Sequence, residues 1–327
     1  MSSSEVDHLV SENIKEHHGE IIYDANGFIK KIYRKDSQLN RKIVDRWGES
    51  FHFARAYKGD TFEQSIKRHE QYLAVKLGLN EKQRALDVGC GVGGPLREIV
   101  RLSGAHITGL NNNGYQVERC KAYAKKLGLE NKSDYIKGDF TAIPRELYGK
   151  FDSAYAVEAT VHSPKLEMVY GEVFRALKPG GLFATYEWVT TPNFDENNPE
   201  HKRIIHGIEE GNSIPSLSSY KQAIDAAKHV GFELIEHEDR AILSECHVPW
   251  YMTLKGGFSF SGFRMTRIGR WTTHKFVYLL ECLRIAAPGS TDVACFLNKT
   301  ADALVEGGET EIFTPMFFML LKKPTTA

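Results

Sequence analysis

One ten-residue stretch constrains the fold of this chain more than any other part of its sequence. Residues 85–94 read Ala-Leu-Asp-Val-Gly-Cys-Gly-Val-Gly-Gly: an apolar run, the acidic Asp87, and then glycines at alternate positions. Glycine has no Cβ and tolerates positive φ, so a strand that ends in such a turn brings bare backbone close to a ligand. Pro95 suits the first turn of a following helix. The spacing matches neither the dinucleotide-binding nor the phosphate-binding glycine motif, and a tight turn without a ligand is the alternative.

From residue 84 onward, apolar runs typical of strands alternate with segments of helical periodicity. This alternation predicts an α/β fold with a doubly wound, mostly parallel sheet that helices cover on both faces. The predicted strands are Arg84–Val88, His106–Leu110, Ser133–Lys137, Phe151–Val157, Leu182–Trp188, Phe232–His237 and Ile312–Leu320. The predicted helices are Pro95–Ser103, Gly114–Leu127 and Lys165–Leu177, and a predicted turn occupies Lys178-Pro-Gly-Gly181.

The same patterns divide the chain into three regions. Residues 1–80 read as helical, with apolar side chains at helical spacing over Thr61–Leu77. Residues 81–240 form the predicted cofactor-binding core. Residues 241–327 form a predicted substrate-binding region that also supplies the last strand of the sheet.

Two long segments interrupt the regular alternation of strands and helices. Residues 191–217 are polar, and residues 243–291 are rich in aromatic side chains. Long connections in a compact α/β domain tend to serve as lids or substrate walls. We therefore expect the aromatic residues between 250 and 278 to face the cofactor.

The composition narrows the classes of function. Lys+Arg and Asp+Glu both number 42 among 327 residues, and this balance argues against the basic face that nucleic-acid binding requires. Five cysteines without Cys-x-x-Cys spacing argue against a disulfide framework or a zinc site, so we predict no metal and a reducing compartment. We see no signal peptide and no apolar run near the ~20 residues that span a bilayer. A cytoplasmic protein is expected.

Polar residues follow four successive predicted strands, at the edge of a parallel sheet where ligands bind. The first strand ends at Asp87 and the glycine turn, and no basic residue is positioned there to neutralise phosphates. A nucleoside without a pyrophosphate suits this pattern, and S-adenosylmethionine fits that description; strand-end caps are the alternative for each residue taken singly. The candidate cofactor-binding residues are Asp87, Gly89, Gly91, Gly93, Asn111, Asn112, Gln116, Asp139, Phe140 and Glu158.

Several motifs from about residue 46 to the C-terminus resemble the sterol C24-methyltransferase family. The resemblance implies a class I methyltransferase fold with an antiparallel last strand. It also implies S-adenosylmethionine as cofactor and a sterol that accepts a methyl group on its side-chain alkene. The motifs are Leu86-Asp-Val-Gly-Cys-Gly-Val-Gly-Gly-Pro-Leu-Arg-Glu98, Gly109-Leu-Asn-Asn-Asn, Lys137-Gly-Asp-Phe140, Glu158-Ala-Thr-Val-His162, Tyr186-Glu-Trp188, Trp47-Gly-Glu-Ser-Phe-His-Phe53, Ser65-Ile-Lys-Arg-His-Glu70, Asn198-Pro-Glu-His201, Ile208-Glu-Glu-Gly-Asn212 and Glu311-Ile-Phe-Thr-Pro-Met316.

The expected chemistry indicates which side chains are needed. Methyl transfer to an alkene leaves a carbocation, which requires aromatic faces, exclusion of water and a base that removes a proton. The candidate catalytic residues are Glu158, His162, Glu187, Glu209 and His52. The candidate substrate-binding residues are Trp47, Phe51, Phe53, His69, Glu70, Tyr186 and Trp188. For the 47–53 cluster, a role in the core is the alternative; His69 and Glu70 either bind the sterol hydroxyl or brace the N-terminal helices.

One departure from the family pattern leaves alternatives open. The family has an aromatic-rich stretch just before Trp-Gly, where this chain has Ile43-Val-Asp-Arg46. A methyltransferase for another isoprenoid, such as a triterpene or a tocopherol-like ring, and a catalytically silent cofactor- or lipid-binding homologue are therefore the competing hypotheses. The apolar substrate leads us to expect peripheral association with the endoplasmic reticulum or lipid droplets, and the family leads us to expect a homo-oligomer.

Overall fold

The structure is a computed structural model that describes most of the chain after residue 48. The described residues are 49–242, 244, 247–255, 266–286 and 289–325. The helices predicted before residue 49 and the candidate Trp47 lie outside them. So do residues 258, 260 and 263 of the aromatic segment.

The secondary structure follows the predicted alternation closely. The strands are β1 (Ala56–Tyr57), β2 (Arg84–Val88), β3 (His106–Asn111), β4 (Ser133–Lys137), β5 (Phe151–Val157), β6 (Leu177–Thr190), β7 (Glu233–Asp239), β8 (His247–Val248) and β9 (Phe313–Lys322). The helices are α1 (Phe62–Lys76), α2 (Gly94–Ser103), α3 (Gly114–Leu127), α4 (Leu166–Ala176), α5 (Pro199–Asn212), α6 (Tyr220–Val230), α7 (Met252–Lys255), α8 (Arg267–Cys282) and α9 (Ser290–Glu309). Short 3-10 turns occupy Arg145–Leu147 and Thr160–His162.

Seven strands form one sheet in the order β4-β3-β2-β5-β6-β9-β7. The pairs from β4 to β6 are parallel, whereas β9 runs antiparallel to both β6 and β7. The chain winds outward in both directions from β2, so the switch point of the topology lies between β2 and β5, where open α/β sheets bind ligands. The predicted α/β fold with an antiparallel last strand is confirmed.

The predicted turn before the fifth strand of the series is incorporated into β6. Leu177 already pairs with Phe151, and the register then jumps so that Leu182 pairs with Ser153. The intervening residues bulge out of the ladder, and Gly180 takes a φ of 79° there. The glycine-rich sequence therefore marks an irregularity within a long strand and not a loop that precedes it.

The polar 191–217 segment contains α5, a helix that the sequence analysis did not predict. Asn198 caps its first turn, since the side-chain oxygen accepts a hydrogen bond from Glu200 N at 2.9 Å, and Pro199 occupies the first helical position. Both features favour helix initiation. On its inner face α5 buries Ile204, Ile205 and Ile208.

Three apolar clusters hold these layers together. Two of them lie on the two faces of the sheet, under α4 and α6 on one face and under α1, α2 and α3 on the other. The third joins α5, α9, Trp250 and the start of β9, with Phe53 and Trp188 packed against it. This third cluster, here called the cap cluster, contacts the end of the sheet where the ligand-binding edge lies. The boundaries at residues 80 and 240 stay predictions.

No helix among the described residues is long and apolar enough to cross a membrane.

Candidate active site

The glycine turn after β2 is an open backbone cradle. Gly89, Gly91 and Gly93 have φ values of 81°, 55° and 78°, in the left-handed region that favours glycine. A Cβ at Gly89 would lie 2.5 Å from the Cβ of Ala159, which follows β5. Gly89 N donates to Leu110 O at 2.9 Å. The turn thus meets the ends of β3 and β5, and any larger residue at Gly89 would fill the space between them.

The ends of the next two strands border the same turn. Asn111, at the end of β3, donates through Nδ2 to Gly91 O at 3.0 Å and to Gln116 Oε1 at 2.7 Å. After β4, Asp139 Oδ1 accepts hydrogen bonds from the amide and the hydroxyl of Thr141. Phe140 lies beside Gly89, with its Cδ1 3.9 Å from the position of a Cβ there. By contrast, Asn112 is exposed.

Asp87 is a buried carboxyl next to this cradle. Its Oδ2 accepts a hydrogen bond from the Tyr155 hydroxyl at 3.1 Å. Burial raises the pKa of Asp87 to about 7, with Tyr155 opposing the shift. A cationic ligand group would compensate for the lost solvation of this carboxylate. Together with the glycine cradle, this environment fits S-adenosylmethionine, which carries an ammonium and a sulfonium group.

Glu158 directly follows β5 and has the most constrained environment of the candidate catalytic residues. Its φ of 53° is unusual for a residue with a Cβ, and such backbone strain clusters at functional sites. Oε1 accepts from Phe53 N and Oε2 from Trp188 Nε1, both at 2.8 Å. Burial raises the pKa of Glu158 to about 7, although His52, Trp188 and Phe53 each oppose the shift. This carboxyl is therefore poised to gain or lose a proton near neutral pH.

Residues 49–53 cross the ligand-binding edge of the sheet and bury Glu158. At one end of this 49–53 segment, Glu49 forms an ion pair with the buried Arg97 of α2. In its middle, Phe51 lies 3.8 Å from the position of a Cβ at Gly91. At the other end, Phe53 provides the backbone donor to Glu158. The N-terminal part of the chain thus closes over the glycine turn.

His52 is the centre of a buried hydrogen-bond network. Its Nε2 lies 3.1 Å from Glu70 Oε1, which also accepts from the Ser50 hydroxyl at 2.6 Å. Its Nδ1 lies 2.7 Å from Phe53 O. Burial alone would lower the pKa of His52, but the hydrogen bond and charge of Glu70 outweigh it, and the pKa is raised. His52 therefore favours the protonated form near Glu158.

His69 differs from its neighbour His52 in charge. The two rings stack with centroids 5.5 Å apart, and the other side of His69 stacks on Tyr186 at 3.8 Å. Burial and the nearby His52 hold the pKa of His69 well below its usual value, so the ring is neutral. Both of its nitrogens are buried and accept or donate no hydrogen bond within the described part of the chain. This leaves His69 able to bond a polar ligand group.

The ligand atoms of His52, His69 and Glu158 lie within 4.8 Å of one another. A trio of this kind is a candidate metal site by composition. However, both nitrogens of His52 and both oxygens of Glu158 are engaged in hydrogen bonds within the protein. We therefore describe the trio as a hydrogen-bonding and stacking cluster and assign it no metal.

Aromatic rings from the cap cluster line the same region. Phe53 lies 6.0 Å from Trp188 and 4.7 Å from Trp250 between ring centroids. Phe313 closes the group at 5.3 Å from Trp188 and 5.8 Å from Trp250. Trp250 and Phe313 are missing from the residues predicted for the site. The aromatic 243–291 segment was the signal for Trp250, whereas Phe313 is indistinguishable in sequence from any buried strand residue.

The prediction that the aromatic residues between 250 and 278 face the cofactor is wrong for α8. Trp271, Phe276 and Tyr278 of that helix are largely exposed. Trp250 fits the prediction better, because it contacts the ring of Phe53. The difference arises because α8 packs against α9, so its other half faces outward.

The other three candidate catalytic residues have environments that differ from that of Glu158. Successive side chains alternate across a strand, so Glu187 faces away from Tyr186 and Trp188 and accepts hydrogen bonds from three hydroxyls, those of Thr160, Thr185 and Tyr170. This environment is that of a buried structural carboxyl and does not support a catalytic role. Glu209 on α5 accepts from Leu217 N at 2.7 Å and shapes the end of its helix. His162, in the 3-10 turn after Glu158, is accessible to solvent. The surrounding protein nevertheless lowers its pKa by desolvation, and a hydrogen bond with the backbone of Ser213 opposes that shift.

Comparison with known proteins identifies the family. A family model described as a methyltransferase domain matches residues 86–185, and one described as the sterol methyltransferase C-terminal region matches residues 260–325. Sterol 24-C-methyltransferase erg6 of Schizosaccharomyces pombe is 47% identical over 288 residues, which span 86% of this chain and 76% of that protein. The chain belongs to the sterol 24-C-methyltransferase family. Cycloartenol-C-24-methyltransferase of Arabidopsis thaliana is also 47% identical, over 85% of this chain and 82% of that protein.

Solved structures agree with the fold of this sterol 24-C-methyltransferase family member. Geranyl diphosphate C-methyltransferase from Streptomyces coelicolor, in a complex that contains S-adenosyl-L-homocysteine, superposes with a TM-score of 0.61 over 84% of this chain and 89% of that one. At 14% identity this likeness shows the fold alone. The family resemblance that the sequence motifs indicated is confirmed.

Proposed function

We propose that this protein transfers a methyl group from S-adenosylmethionine to the side-chain alkene of a sterol, at C24. The observation that carries the proposal is the Glu158 carboxyl, which follows β5 beside the glycine cradle and is buried beneath Phe53 and Trp188. Membership of the sterol 24-C-methyltransferase family supports the substrate class.

The cofactor would bind along the carboxyl ends of β2 to β5. Gly89 and Gly91 would let its reactive end approach the backbone, Asp87 would face its cationic groups, and Asn111 and Asp139 would bond its polar nucleoside edge. When bound, S-adenosylmethionine supplies an electrophilic methyl group that needs no further activation. The chain's own contribution is to hold the alkene in line with that group; positioning of this kind contributes about 7–11 kcal/mol to rate enhancement.

The alkene carbon gains the methyl group, and its neighbour becomes a tertiary cation. A hydride shift moves the positive charge along the side chain, and loss of a proton restores an alkene. The rings of Phe53, Trp188 and Trp250 would stabilise the cation through their faces, each by about 2 kcal/mol when water is excluded. Glu158 would accept the proton at a carboxylate oxygen, since its pKa near 7 leaves much of it ionised at neutral pH.

His52 and Glu70 would support this step without touching the reacting atoms. Glu70 orients the ring of His52 and favours its protonated form. The resulting positive charge lowers the pKa of Glu158 and so opposes the effect of burial. His69, whose ring nitrogens are buried and without hydrogen bonds among the described residues, would bond an ordered water. The hydroxyl of the sterol lies at the opposite end of the ring system from the side-chain alkene, so it would not reach a His69 nitrogen within 4.8 Å of Glu158.

The test is turnover by the purified protein. It is incubated with labelled S-adenosylmethionine and a panel of sterols, linear triterpenes and chromanol-type rings, and the products are identified by mass spectrometry. We expect methylation only of sterols that carry a side-chain alkene. Methylation of another isoprenoid alone would contradict the proposal, and normal cofactor affinity with no turnover on any alkene would favour a silent homologue.

We also propose that the protein works at sterol-bearing surfaces, the endoplasmic reticulum or lipid droplets. An apolar substrate partitions into such surfaces, and an enzyme that acts on it gains by staying there. Cell fractionation with a detected tag tests this. Recovery in the aqueous fraction alone would contradict it.

A further inference from the structure

Helix α8 exposes one apolar half along its whole length. Ile268 is 68% exposed, Trp271 62% and Phe276 58%. Large exposed apolar side chains are common singly, but a contiguous set on one helix marks an interaction surface. The set consists of Ile268, Trp271, Phe276, Tyr278, Leu279 and Leu283; this surface is here called the α8 face.

The α8 face is fixed by contacts on the opposite side of the helix. Arg270 forms an ion pair with Asp302 of α9 and donates through Nη1 to Asn298 O at 3.2 Å. Gly269, on the same side of α8, is buried. At 100° per residue, the six residues of the α8 face fall on one half of the helix, together with Thr272, Lys275 and Cys282, and this half faces away from Arg270. The exposure is therefore set by tertiary packing.

The charge on this half of the helix is of one sign. Lys275 lies among the residues of the α8 face and is the one charged side chain that the structure describes on that half of the helix. Its Nζ lies 6.0 Å from the centre of the Trp271 ring. The nearby acid, Glu281, lies on the other half of the helix and accepts hydrogen bonds from Gly289 N and Thr291 N. Trp, Tyr and Lys beside aliphatic side chains are the residues that helices at a bilayer interface use.

We propose that the α8 face docks the protein on a lipid surface that carries anionic headgroups. The apolar side chains would insert among the acyl chains, and Lys275 would remain at headgroup level. The proposal rests in part on the proposed sterol substrate, which such a surface would supply. A second copy of the chain fits less well, because two α8 faces would bring their lysines together without an acidic partner.

The α8 face is connected to the candidate site through packed helices. Helix α8 packs on α9, and α9 packs on α5, where Thr300 donates to Gly211 O at 3.3 Å. Helices α5 and α9 both contribute to the cap cluster that contains Trp250 and contacts Phe53. Docking through α8 would thus turn the part of the protein that contains the cap cluster toward the lipid.

The test is flotation of the full-length protein with vesicles of phosphatidylcholine alone or with added phosphatidylserine. The variants are Trp271→Ser/Phe276→Ser and Lys275→Glu. The matched control is Val75→Ser/Leu102→Ser, which removes two exposed apolar side chains from α1 and α2. We expect the wild-type protein and the control to float with the vesicles. The aromatic double variant should lose binding about tenfold or more, and Lys275→Glu should lose mainly the gain due to phosphatidylserine.

Turnover on sterol presented in detergent micelles and light scattering separate the outcomes. Variants that fail to float but keep turnover in micelles support the docking surface. A wild-type protein that stays in the aqueous layer, or variants that float normally, would overturn it. If the variants change only the oligomeric state, the α8 face joins two copies and the lipid proposal is wrong. If the wild-type protein and the variants float as expected but none of them turns over any sterol, the proposed function is contradicted and the proposed docking surface is still supported.

Discussion

The substitution Glu158→Gln separates the cost of burying this carboxylate from its chemical role. The pKa of Glu158 rises from 4.5 to about 7, which corresponds to about 3 kcal/mol against the ionised form. Glutamine removes that cost above pH 7. Its amide has one acceptor oxygen, however, so one of the two donors, Phe53 N or Trp188 Nε1, loses its partner at a cost of about 1–3 kcal/mol. The two effects nearly offset, and we expect little change in the free energy of unfolding above pH 7.

The same pKa shift makes the comparison dependent on pH. The folded wild-type protein holds the Glu158 proton up to about pH 7, whereas the unfolded chain releases it near 4.5. The folded state binds more protons in that window, so its stability falls as the pH rises from 4.5 to 7. Glutamine does not titrate, so the variant lacks this pH dependence of stability. The stability of the wild-type protein minus that of the variant should therefore decrease by about 3 kcal/mol across the window.

Activity should respond quite differently from stability. Glutamine cannot accept the proton or carry the charge that stabilises the cation, so kcat should fall about 10²–10⁴-fold. Urea unfolding at several pH values and turnover at saturating substrate are the assays. Glu172→Gln is the control for loss of a buried carboxyl at another place in the fold: Glu172 is buried on α4, accepts from Ile143 N and the Tyr148 hydroxyl, both at 2.9 Å, and also forms an ion pair with Arg175. Full turnover by Glu158→Gln would refute the catalytic role. A difference in stability between the wild-type protein and the variant that does not change with pH would refute the raised pKa.

Three further substitutions and one pH profile test the site. Gly89→Ala places a Cβ against Ala159 and should weaken cofactor binding at least about tenfold in calorimetric titration; unchanged affinity would contradict the cradle. Glu187→Gln should lower the free energy of unfolding by about 1–3 kcal/mol with kcat unchanged, so a loss of kcat in the folded variant would restore its catalytic role. Trp250→Ala should lower kcat and raise the KM for the sterol, with recovery in Trp250→Phe, because the cation loses one ring face and the ring of Phe53 loses its support. In the wild-type protein, kcat at saturating cofactor should fall as the pH drops below about 7, where the base becomes protonated; a flat profile would exclude this base.

The sequence predicts the sheet and the residues at its ligand-binding edge well, for a physical reason. The predicted strands Arg84–Val88 and Ser133–Lys137 each end directly before a glycine, and the structure has these bounds without change. In a parallel sheet every such strand delivers its last residues to one edge, so Asp87, Asn111 and Asp139 are brought together by topology alone. Local pattern therefore suffices to place these three side chains at one edge of the sheet, whereas their binding of the cofactor stays a prediction.

Orientation on a strand and contacts between distant segments are harder to predict. Glu187 was expected beside Tyr186 and Trp188, yet strand alternation turns it to the other face, where three hydroxyls hold it. Trp250 meets Phe53 only because β8 pairs with β1, two-residue strands that no pattern could reveal. Helix α5 was missed since its polar outer face resembles a loop in composition.

The 49–53 segment connects the glycine turn with the aromatic rings of the cap cluster. Desolvation is the main cause of the raised pKa of Glu158, and the residue that covers it is Phe53, which comes from a part of the chain remote in sequence. Were the segment to open, water would reach the carboxyl and its pKa would fall toward the usual value. Proton affinity and closure are thus linked, and by reciprocity a protonated Glu158 favours the closed segment. A cationic group beneath the segment would also compensate an ionised Glu158. On the proposed mechanism the transition state carries such a charge, so we expect the closed site to bind it more tightly than the uncharged substrate.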